Sequence, residues 1–493
     1  MSSRDHSIHA RRQAALPFFP FLCGLLILFA MQAVPLSAGT TKREAFAWNQ
    51  DELWKGLEQR FVEARSRSCA DLEPAIHDAL ASWEAVIGEV ENRTLDADDP
   101  LWDTAEFQML TTAPLLAACP SKVEPYTDMV HRLQRAVKLQ AAAWPSGSAA
   151  VRQRLYRLIY GGRSAIEEIT LQVDDRGQSD ITRQMPSQSA APAVTVHGVT
   201  LHSGDILVSR GGAATSALIA RGNDFPGNFS HVALLYVDAR TGHPAVLEAL
   251  IETGAVVSSL EHYLADKKLR IMVLRLRSDL PQLRLNPVLA HQAAQWAFDS
   301  IRQKHIAYDF EMDYLDHRKL FCAELIYAAF EQQGIHLWTE LSHISSPGTA
   351  RWLAAFGVSH FTTLEPSDLE YDPQLSVVAE WRDSRTLFKD HVDNAVTDAL
   401  LEGANAGAPL AYNHWLLPLA GALKVYSTLK NRLGSTGPIP EGMPSAAALR
   451  NRWYTRKHDR MTTNVLKLAD SFKKEKGYTP PYWELVRMAR EVR

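Results

Sequence analysis

The sequence predicts an α+β protein in which a mostly antiparallel sheet lies between two helical regions of the chain. Runs of β-branched and aliphatic residues, separated by turn residues, occupy 205–209, 231–237, 245–251 and 270–276. Such runs are typical of short strands joined by turns. Apolar residues at three- and four-residue spacing are frequent before residue 174 and after residue 385, and this period indicates amphipathic helices.

Changes in composition divide the chain into five predicted segments. Residues 174–193 are polar, rich in Ser, Gln and Pro and without periodicity, which is typical of a linker. The segments are a signal peptide or signal anchor at 1–40, a helical domain at 41–173, the linker at 174–193, the α+β domain at 194–385 and a helical, basic C-terminal extension at 386–493.

The first 40 residues join a positive flank to a long apolar run. Arg4, Arg11 and Arg12 precede residues 14–38, which carry no charge and end in small residues. This pattern predicts a secretory signal peptide. The run is also long enough to span a bilayer, so an uncleaved anchor is the alternative. Either outcome places the remaining chain outside the cytoplasm, in the periplasm or anchored to the membrane.

The overall charge argues against one class of partner. A net charge of -4 and a pI near 6.5 provide no general basic surface for nucleic acid. The segment after residue 449 is locally basic. Such a run is commonly a solvated helix face, and contact with anionic lipid or cell-wall polymer is the alternative.

Export changes what the cysteines are expected to do. Outside the predicted signal only Cys69, Cys119 and Cys322 remain, and an oxidising compartment allows two of the three to pair. Cys69 and Cys119 fall in the same predicted helical domain. We therefore expect a disulfide between them, which leaves Cys322 as the free thiol.

Cys322 stands where a polar stretch becomes an apolar-periodic one, in DHRKLFCAELIYAAF at 316–330. From Leu325 onward the apolar spacing indicates a helix, and Gly334 is a suitable C-terminal stop. The cysteine then lies in the first turn, where unpaired backbone N–H groups favour a nucleophilic thiolate. Free cysteine is also a commonly buried residue, so a small core residue is the alternative reading.

A second pair of residues supports the nucleophile. His231 begins an apolar run, and Glu248 lies among aliphatic residues, where an ionised carboxylate is costly unless it is paired. If Asp238 pairs with His243 across a four-residue turn, His231 and Glu248 share one face of a hairpin, one diagonal step apart. A one-residue slip would separate them. In the predicted register the carboxylate orients the imidazole, as in a Cys-His-acid triad.

Four motifs, in chain order, carry a resemblance to a known family. They are LHSGDILVSRGG, NFSHVALLYVD, VLEAL and YDFEMDYLDHRKLFCAELIYAAFEQQGI, and the likeness extends to EPSDLEYDPQLSVVAEW. Together they resemble the permuted papain-like amidases of the YaeF/YiiX type, relatives of NlpC-type cysteine peptidases in which the histidine strand precedes the cysteine helix. The resemblance covers about residues 194–385, and it includes neither the N-terminal helical domain nor the basic tail.

The resemblance implies a papain-like cysteine hydrolase domain with Cys322 as nucleophile, His231 as base and Glu248 as the third member. Two positions depart from the family pattern: Ala323, where many relatives have Ser, and His317, where an acidic residue is common. These departures concern contacts to the substrate more than the triad.

Several polar residues before the cysteine are candidates for contact with substrate. Tyr308 and Asp309 match a polar segment of the family, and Asp313, with Glu311 and Asp316, could attract an amine, although such residues commonly face water. No metal-ligand spacing is present, so neither a metal nor another cofactor is expected.

The sequence thus predicts an exported cysteine hydrolase that cleaves an amide bond, with cell-wall peptides as the candidate substrate. A thiol-dependent lipid esterase or acyltransferase is the first alternative, because the superfamily resembles lecithin:retinol acyltransferase-like proteins and HWLLPLAGAL is apolar. A non-catalytic binding protein on the same fold is the second.

Overall fold

The computed structural model describes residues 52–493 except 121, 146, 174–180, 185–186, 339, 433–434 and 441. The described residues belong to one compact unit. The predicted signal segment at 1–40 lies outside the described residues, as do residues 174–180 and 185–186 of the predicted linker. Within the described residues, none of the helices is both long enough and apolar enough to cross a bilayer.

Six α-helices form the N-terminal region, as the apolar periodicity predicted. They are α1 (Glu52–Arg65), α2 (Cys69–Asn92), α3 (Pro100–Ala118), α4 (Val123–Ala141), α5 (Ala149–Leu155) and α6 (Gly161–Thr170). A π-helical turn at Tyr156–Tyr160 joins the last two. Trp83, Trp102 and Tyr126 are fully buried among them, so this region has an aromatic core of its own.

The predicted disulfide between Cys69 and Cys119 is confirmed. Cys69 is the first residue of α2 and Cys119 caps the C-terminus of α3, which brings their Cα atoms within 5.3 Å. Ser68 fixes the start of α2 by a capping box with Asp71. Among the described residues, Cys322 is the free cysteine.

Thirteen strands are described. They are β1 (Ile181–Arg183), β2 (Ala193–Val196), β3 (Val199–His202), β4 (Ile206–Gly211), β5 (His231–Val237), β6 (Pro244–Leu250), β7 (Gly254–Ser259), β8 (Lys268–Leu276), β9 (Ala307–Tyr308), β10 (Lys319–Leu320), β11 (Ser342–His343), β12 (Thr362–Thr363) and β13 (Leu375–Trp381). Seven of them form one antiparallel sheet in the order β1-β13-β8-β4-β5-β6-β7. The mixed α+β class with an antiparallel sheet is therefore confirmed.

Part of the predicted linker has a different structure. Residues Ile181–Arg183 form β1 and pair with Ala379–Trp381 at the edge of the main sheet. The polar composition of 174–193 concealed this strand because an edge strand needs few apolar side chains when one neighbour supplies its hydrogen bonds. The segment from 181 to 183 is thus part of the sheet.

Ten further α-helices surround the sheet and complete the chain. They are α7 (Ala214–Arg221), α8 (Leu260–Ala265), α9 (Pro281–Leu285), α10 (Leu289–Gln303), α11 (Cys322–Glu331), α12 (Pro347–Phe356), α13 (Ser384–Asn405), α14 (Leu417–Arg432), α15 (Ser445–Lys476) and α16 (Tyr482–Glu491).

The two sides of the sheet are covered by different elements, and this positions the cysteine helix. On one side Val232 and Leu234 pack in a buried cluster with Ala293, Ala329 and Phe330, which belong to α10 and α11. On the other side the alternate residues of β5 pack with β2, β3 and α8. Because both faces are covered, β5 is apolar on both sides, with His231 at its first position.

The C-terminal helices pack against the helix that follows β4. Ala214 and Leu218 of α7 share a buried cluster with Trp352 of α12, with Val396 of α13 and with apolar residues of α15 and α16. The C-terminal helices therefore contribute to the surroundings of α7, one side of which lines the pocket described below.

Candidate active site

The hairpin formed by β5 and β6 has the register that the sequence predicted. The backbone N–H of Asp238 donates to the carbonyl of His243 at 3.0 Å, and Glu248 lies directly opposite Ala233. The carboxylate of Asp238 accepts hydrogen bonds from the backbone N–H groups of Arg240 and Thr241, which stabilises the four-residue turn. His231 therefore lies one diagonal step from Glu248 on the same face.

The two side chains are in hydrogen-bond contact. His231 Nε2 lies 2.9 Å from Glu248 Oε2, and the Ser258 hydroxyl donates to Glu248 Oε1 at 2.6 Å. Burial opposes ionisation of Glu248, but the hydrogen bond and charge of His231, aided by Ser258, outweigh it and lower the pKa of the carboxyl. Burial of the Glu248 carboxylate, which the sequence indicated would be costly without a partner, is thus compensated by a hydrogen bond on each oxygen.

Cys322 reaches the same histidine from the cysteine helix. It is the first residue of α11, it is buried, and its side chain is near enough to His231 to affect the pKa of the imidazole. Because Nε2 faces Glu248, the nitrogen available to the thiol is Nδ1. Burial alone would lower the pKa of His231, but the hydrogen bonds and negative charge of Cys322 and Glu248 raise it to about 9.

The start of the cysteine helix is fixed by Glu324. Its carboxyl oxygen Oε2 accepts the backbone N–H of Phe321 at 3.0 Å, the residue just before Cys322. Burial raises the pKa of Glu324 to about 8, and the negative charges of Asp309, Asp313 and Asp316 add to this shift. This carboxyl group holds the helix terminus without placing a full negative charge beside the thiol at neutral pH.

A pocket of about 120 Å³ opens at Cys322. Its lining is mainly apolar and aromatic, and it includes Leu218, Ile219, Phe310, Met312, Leu353 and Phe356. Ser230, Asn451, Tyr308, Asp309 and Glu365 are among the few polar residues. Pockets of this kind bind ligands with a large apolar part that a small number of polar groups orient.

The three residues predicted to contact substrate, Tyr308, Asp309 and Asp313, differ in their positions relative to the pocket. Tyr308 lines the pocket, and burial, followed by the nearby charge of Cys322, raises its pKa well above the ordinary value. Asp309 also lines the pocket, but its carboxylate accepts the backbone N–H groups of Glu311 and Asp313 and so stabilises the loop. Asp313 lies outside the pocket lining, where its carboxylate accepts the backbone N–H of Leu315.

Glu365 is a pocket residue that sequence reasoning missed. It is buried at the start of a 3-10 helix, and burial together with the charges of Asp368 and Cys322 raises its pKa well above the ordinary value. A neutral carboxylic acid can donate a hydrogen bond, which a carboxylate cannot. Its position in EPSDL, a motif quoted above for its resemblance, was the available signal.

In the part of the chain that the structure describes, no three His, Cys, Asp or Glu side chains are grouped as metal ligands.

The sheet, the helix that begins with a thiol and the histidine strand that precedes it define the papain-like α+β class in a permuted order. Residues 200–379, 180 of the 493 residues, match the family of permuted papain-like amidase enzymes, YaeF/YiiX, the C92 family. The resemblance noted in the sequence is thereby confirmed for this part of the chain, which is related to papain-like cysteine amidases. No curated protein and no solved structure matched the chain.

Proposed function

We propose that the protein is a cysteine hydrolase in which Cys322, His231 and Glu248 act as one catalytic unit. The observation that carries this proposal is the hydrogen bond between Glu248 and His231, with the Cys322 thiol beside the same imidazole and at the wall of an apolar pocket. The match to a family of cysteine amidases supports an amide as the bond cleaved.

The reaction follows from the geometry of these three residues. The Cys322 thiol gives its proton to His231 Nδ1, and the thiolate attacks the carbonyl carbon of the substrate. The imidazolium then protonates the departing amine, which leaves a thioester on Cys322. Water, deprotonated by the same imidazole, hydrolyses the thioester and regenerates the thiol. Glu248 holds the imidazole and stabilises its charge throughout.

Backbone N–H groups at the start of α11 are the natural donors to the oxyanion, because the first N–H groups of a helix have no partner within it. Glu365, whose pKa is raised by burial, lies on the pocket wall and is a further candidate donor.

The pocket favours a substrate whose acyl part is apolar. A peptide from the cell wall is the candidate that the sequence first suggested, but charged peptide groups would lose water in this pocket and find few polar partners. A fatty acyl amide would instead bury its chain against the apolar lining. The ester or acyltransferase alternative keeps the same acyl specificity with a different leaving group or acceptor.

We expect kcat/KM to increase with acyl chain length in a series of acyl amides. Each methylene buried in the pocket contributes about 0.8 kcal/mol, which corresponds to roughly threefold to fourfold per methylene until the pocket is full. The measurement is product formation by mass spectrometry, with matched esters and cell-wall fragments alongside and Cys322→Ala as the blank. A flat response to chain length, with cleavage of the cell-wall fragments, would reject the acyl proposal and retain the hydrolase.

The pH dependence should identify His231 and its partner. We expect kcat/KM to decrease above about pH 9, because the His231 imidazolium, whose pKa is raised to about 9, loses its proton there. Glu248→Gln removes a negative charge that raises this pKa, so it should move the alkaline limb to lower pH. Ser258→Ala, which removes only a hydrogen bond to Glu248, is the matched control and should move the limb less. If the alkaline limb of the kcat/KM profile lay at the same pH in Glu248→Gln as in the wild type, the proposed pairing of His231 with Glu248 would be excluded.

We also propose that the protein is exported and acts in the periplasm or at the outer side of the membrane. The charge-free run at 14–38 and the Cys69–Cys119 disulfide both favour this compartment. Cell fractionation that recovered the full chain as a soluble cytosolic protein would contradict it. A non-catalytic binding role is the alternative, and failure of an iodoacetamide probe to label Cys322 would support that role.

A further inference from the structure

The helix α14 packs with its polar side inward and its apolar side outward. Seven of the fourteen large hydrophobic side chains that are exposed in the described residues lie in or just before it: Trp415, Leu416, Leu419, Leu423, Val425, Tyr426 and Leu429. Trp415 is 89% exposed. Within α14, the fully buried positions are the small residues Ala420 and Ser427. This is the reverse of the usual amphipathic arrangement in a water-soluble protein.

Specific hydrogen bonds hold the polar side against the protein. Lys424 Nζ donates to the carbonyl of Pro440 at 2.6 Å, and Ser427 Oγ accepts the backbone N–H of Ile439 at 3.0 Å. Asn431 donates to the carbonyl of Glu252 and accepts the backbone N–H of Gly437. The orientation of the helix is therefore fixed by directional contacts, and the apolar residues are left on the outer face.

The charged residues of this segment of the chain have one sign. Residues 403–440 contain no Asp or Glu, and their charged residues are Lys424, Lys430 and Arg432. A Trp and a Tyr on an exposed apolar face with basic neighbours are typical of helices that lie in the interface of a bilayer. A symmetric contact with a second copy would bring two segments of the same positive charge together, so the charge favours anionic lipid over a copy of this chain.

The inner side of α14 and the segment that follows the helix are close to the pocket at Cys322. The segment that follows α14 packs on Phe310 through Ile439 and Met443, and both Phe310 and Met443 line the pocket. Asn431 contacts Glu252, next to Ile251 in the pocket lining. The helix α14 is therefore a neighbour of the pocket wall.

We propose that the outer face of α14, together with Trp415 and Leu416, docks onto the surface of an anionic phospholipid bilayer. In this position the helix lies in the plane of the interface and the apolar side chains enter the acyl boundary, while the net positive charge of residues 403–440 attracts the anionic headgroups. The proposal concerns binding alone and is tested in a protein without the Cys322 thiol, so its outcome is separate from that of the proposed hydrolysis.

A fluorophore that reports polarity, attached at one position of the full chain, tests the docking. Cys23→Ser and Cys322→Ala remove the other free thiols, and Val425→Cys places the label on the outer face. Val62→Cys in α1 is the matched control, because these two valines are 62% and 61% exposed. Both proteins carry the apolar run at 14–38, so any tethering of the chain by that run is common to the two.

With vesicles of phosphatidylglycerol and phosphatidylcholine, we expect the emission of the Val425 label to shift to the blue and to be quenched by lipid-borne quenchers, while the Val62 label stays in water. Leu419→Glu and Leu423→Glu should each raise the lipid concentration needed for half of the emission shift by about tenfold. This is the scale set by burying one leucine.

Three results would overturn the proposal. They are a Val425 label that remains in water on vesicles that carry the protein, equal shifts at both positions, and a shift that appears without vesicles as the protein concentration rises. The last result would assign the face to a second copy of the chain.

Discussion

Cys322→Ala should reduce turnover by roughly 10⁴-fold or more, because it removes the atom that attacks the substrate and no other group can replace it. The melting temperature should change little. Cys322 is a small, buried residue at the first position of α11, where Ala is compatible with the helix, and Glu324 still caps the Phe321 N–H. Turnover and thermal melting of the same purified protein are the two measurements.

His231→Ala should cost nearly as much, and the double variant of Cys322 and His231 should be no worse than either single variant. Residues that act as a unit lose their function together, so their effects do not add. Ser230→Ala is the matched control, since Ser230 lines the pocket beside His231 but has no part in the proposed proton transfer. Full activity of Cys322→Ala with a normal melting curve would return this cysteine to the role of a core residue.

The site was predictable where its geometry is local. The hairpin register depends on a four-residue turn, and the sequence shows both the turn and the residues that flank it, so the pairing of His231 with Glu248 could be predicted. The position of Cys322 at the first turn of a helix follows from apolar spacing in the ten residues after it. That Cys322 lies beside His231 and Glu248 could be predicted only from the family resemblance, because no local pattern connects residues so far apart in the chain.

The parts that were missed depend on contacts between distant segments. Ser258 reaches Glu248 from β7, in which half-buried and exposed residues alternate over only the last four positions, too few to indicate a strand. Glu365 is a pocket residue only because the 3-10 helix after β12 folds back beside Cys322. The edge strand β1 forms because it pairs with the backbone N–H and C=O groups along one edge of β13. Each feature requires the tertiary structure before its role can be seen.

Glu167 is the clearest example of a residue whose role cannot be predicted from the sequence alone. In the sequence it is one acidic residue of an amphipathic helix. In the structure it is buried in α6 and meets four cationic or titratable side chains from three parts of the chain: Arg163, Arg270, Arg382 and His391, at 3.0, 2.5, 2.7 and 3.0 Å. Burial alone would raise the pKa of Glu167, but the arginines, led by Arg270, lower it well below the ordinary value of 4.5. One carboxylate thus joins the N-terminal helices, the sheet and α13.

Glu167→Ala should lower the free energy of unfolding by about 3 to 5 kcal/mol, the usual cost of removing one partner from a buried ion pair. The loss comes from the arginines, because Arg270 is fully buried and would keep only Asp390 and Glu380 as partners. Glu168→Gln is the matched control. Glu168 is the next residue in the helix, and burial raises its pKa, so losing its charge should cost much less. Denaturant unfolding of the three proteins measures the difference.

The pH dependence separates an electrostatic role of Glu167 from simple packing. Because its pKa is lower in the folded protein than in the unfolded chain, its contribution is complete above pH 4.5 and decreases as the unfolded chain takes up a proton below that value. The stability gap between the wild type and Glu167→Gln should therefore narrow as the pH decreases below about 4.5. A gap that stays constant through this range would show that the side chain acts by its shape, and that the arginines around it are neutralised by their remaining carboxylate partners.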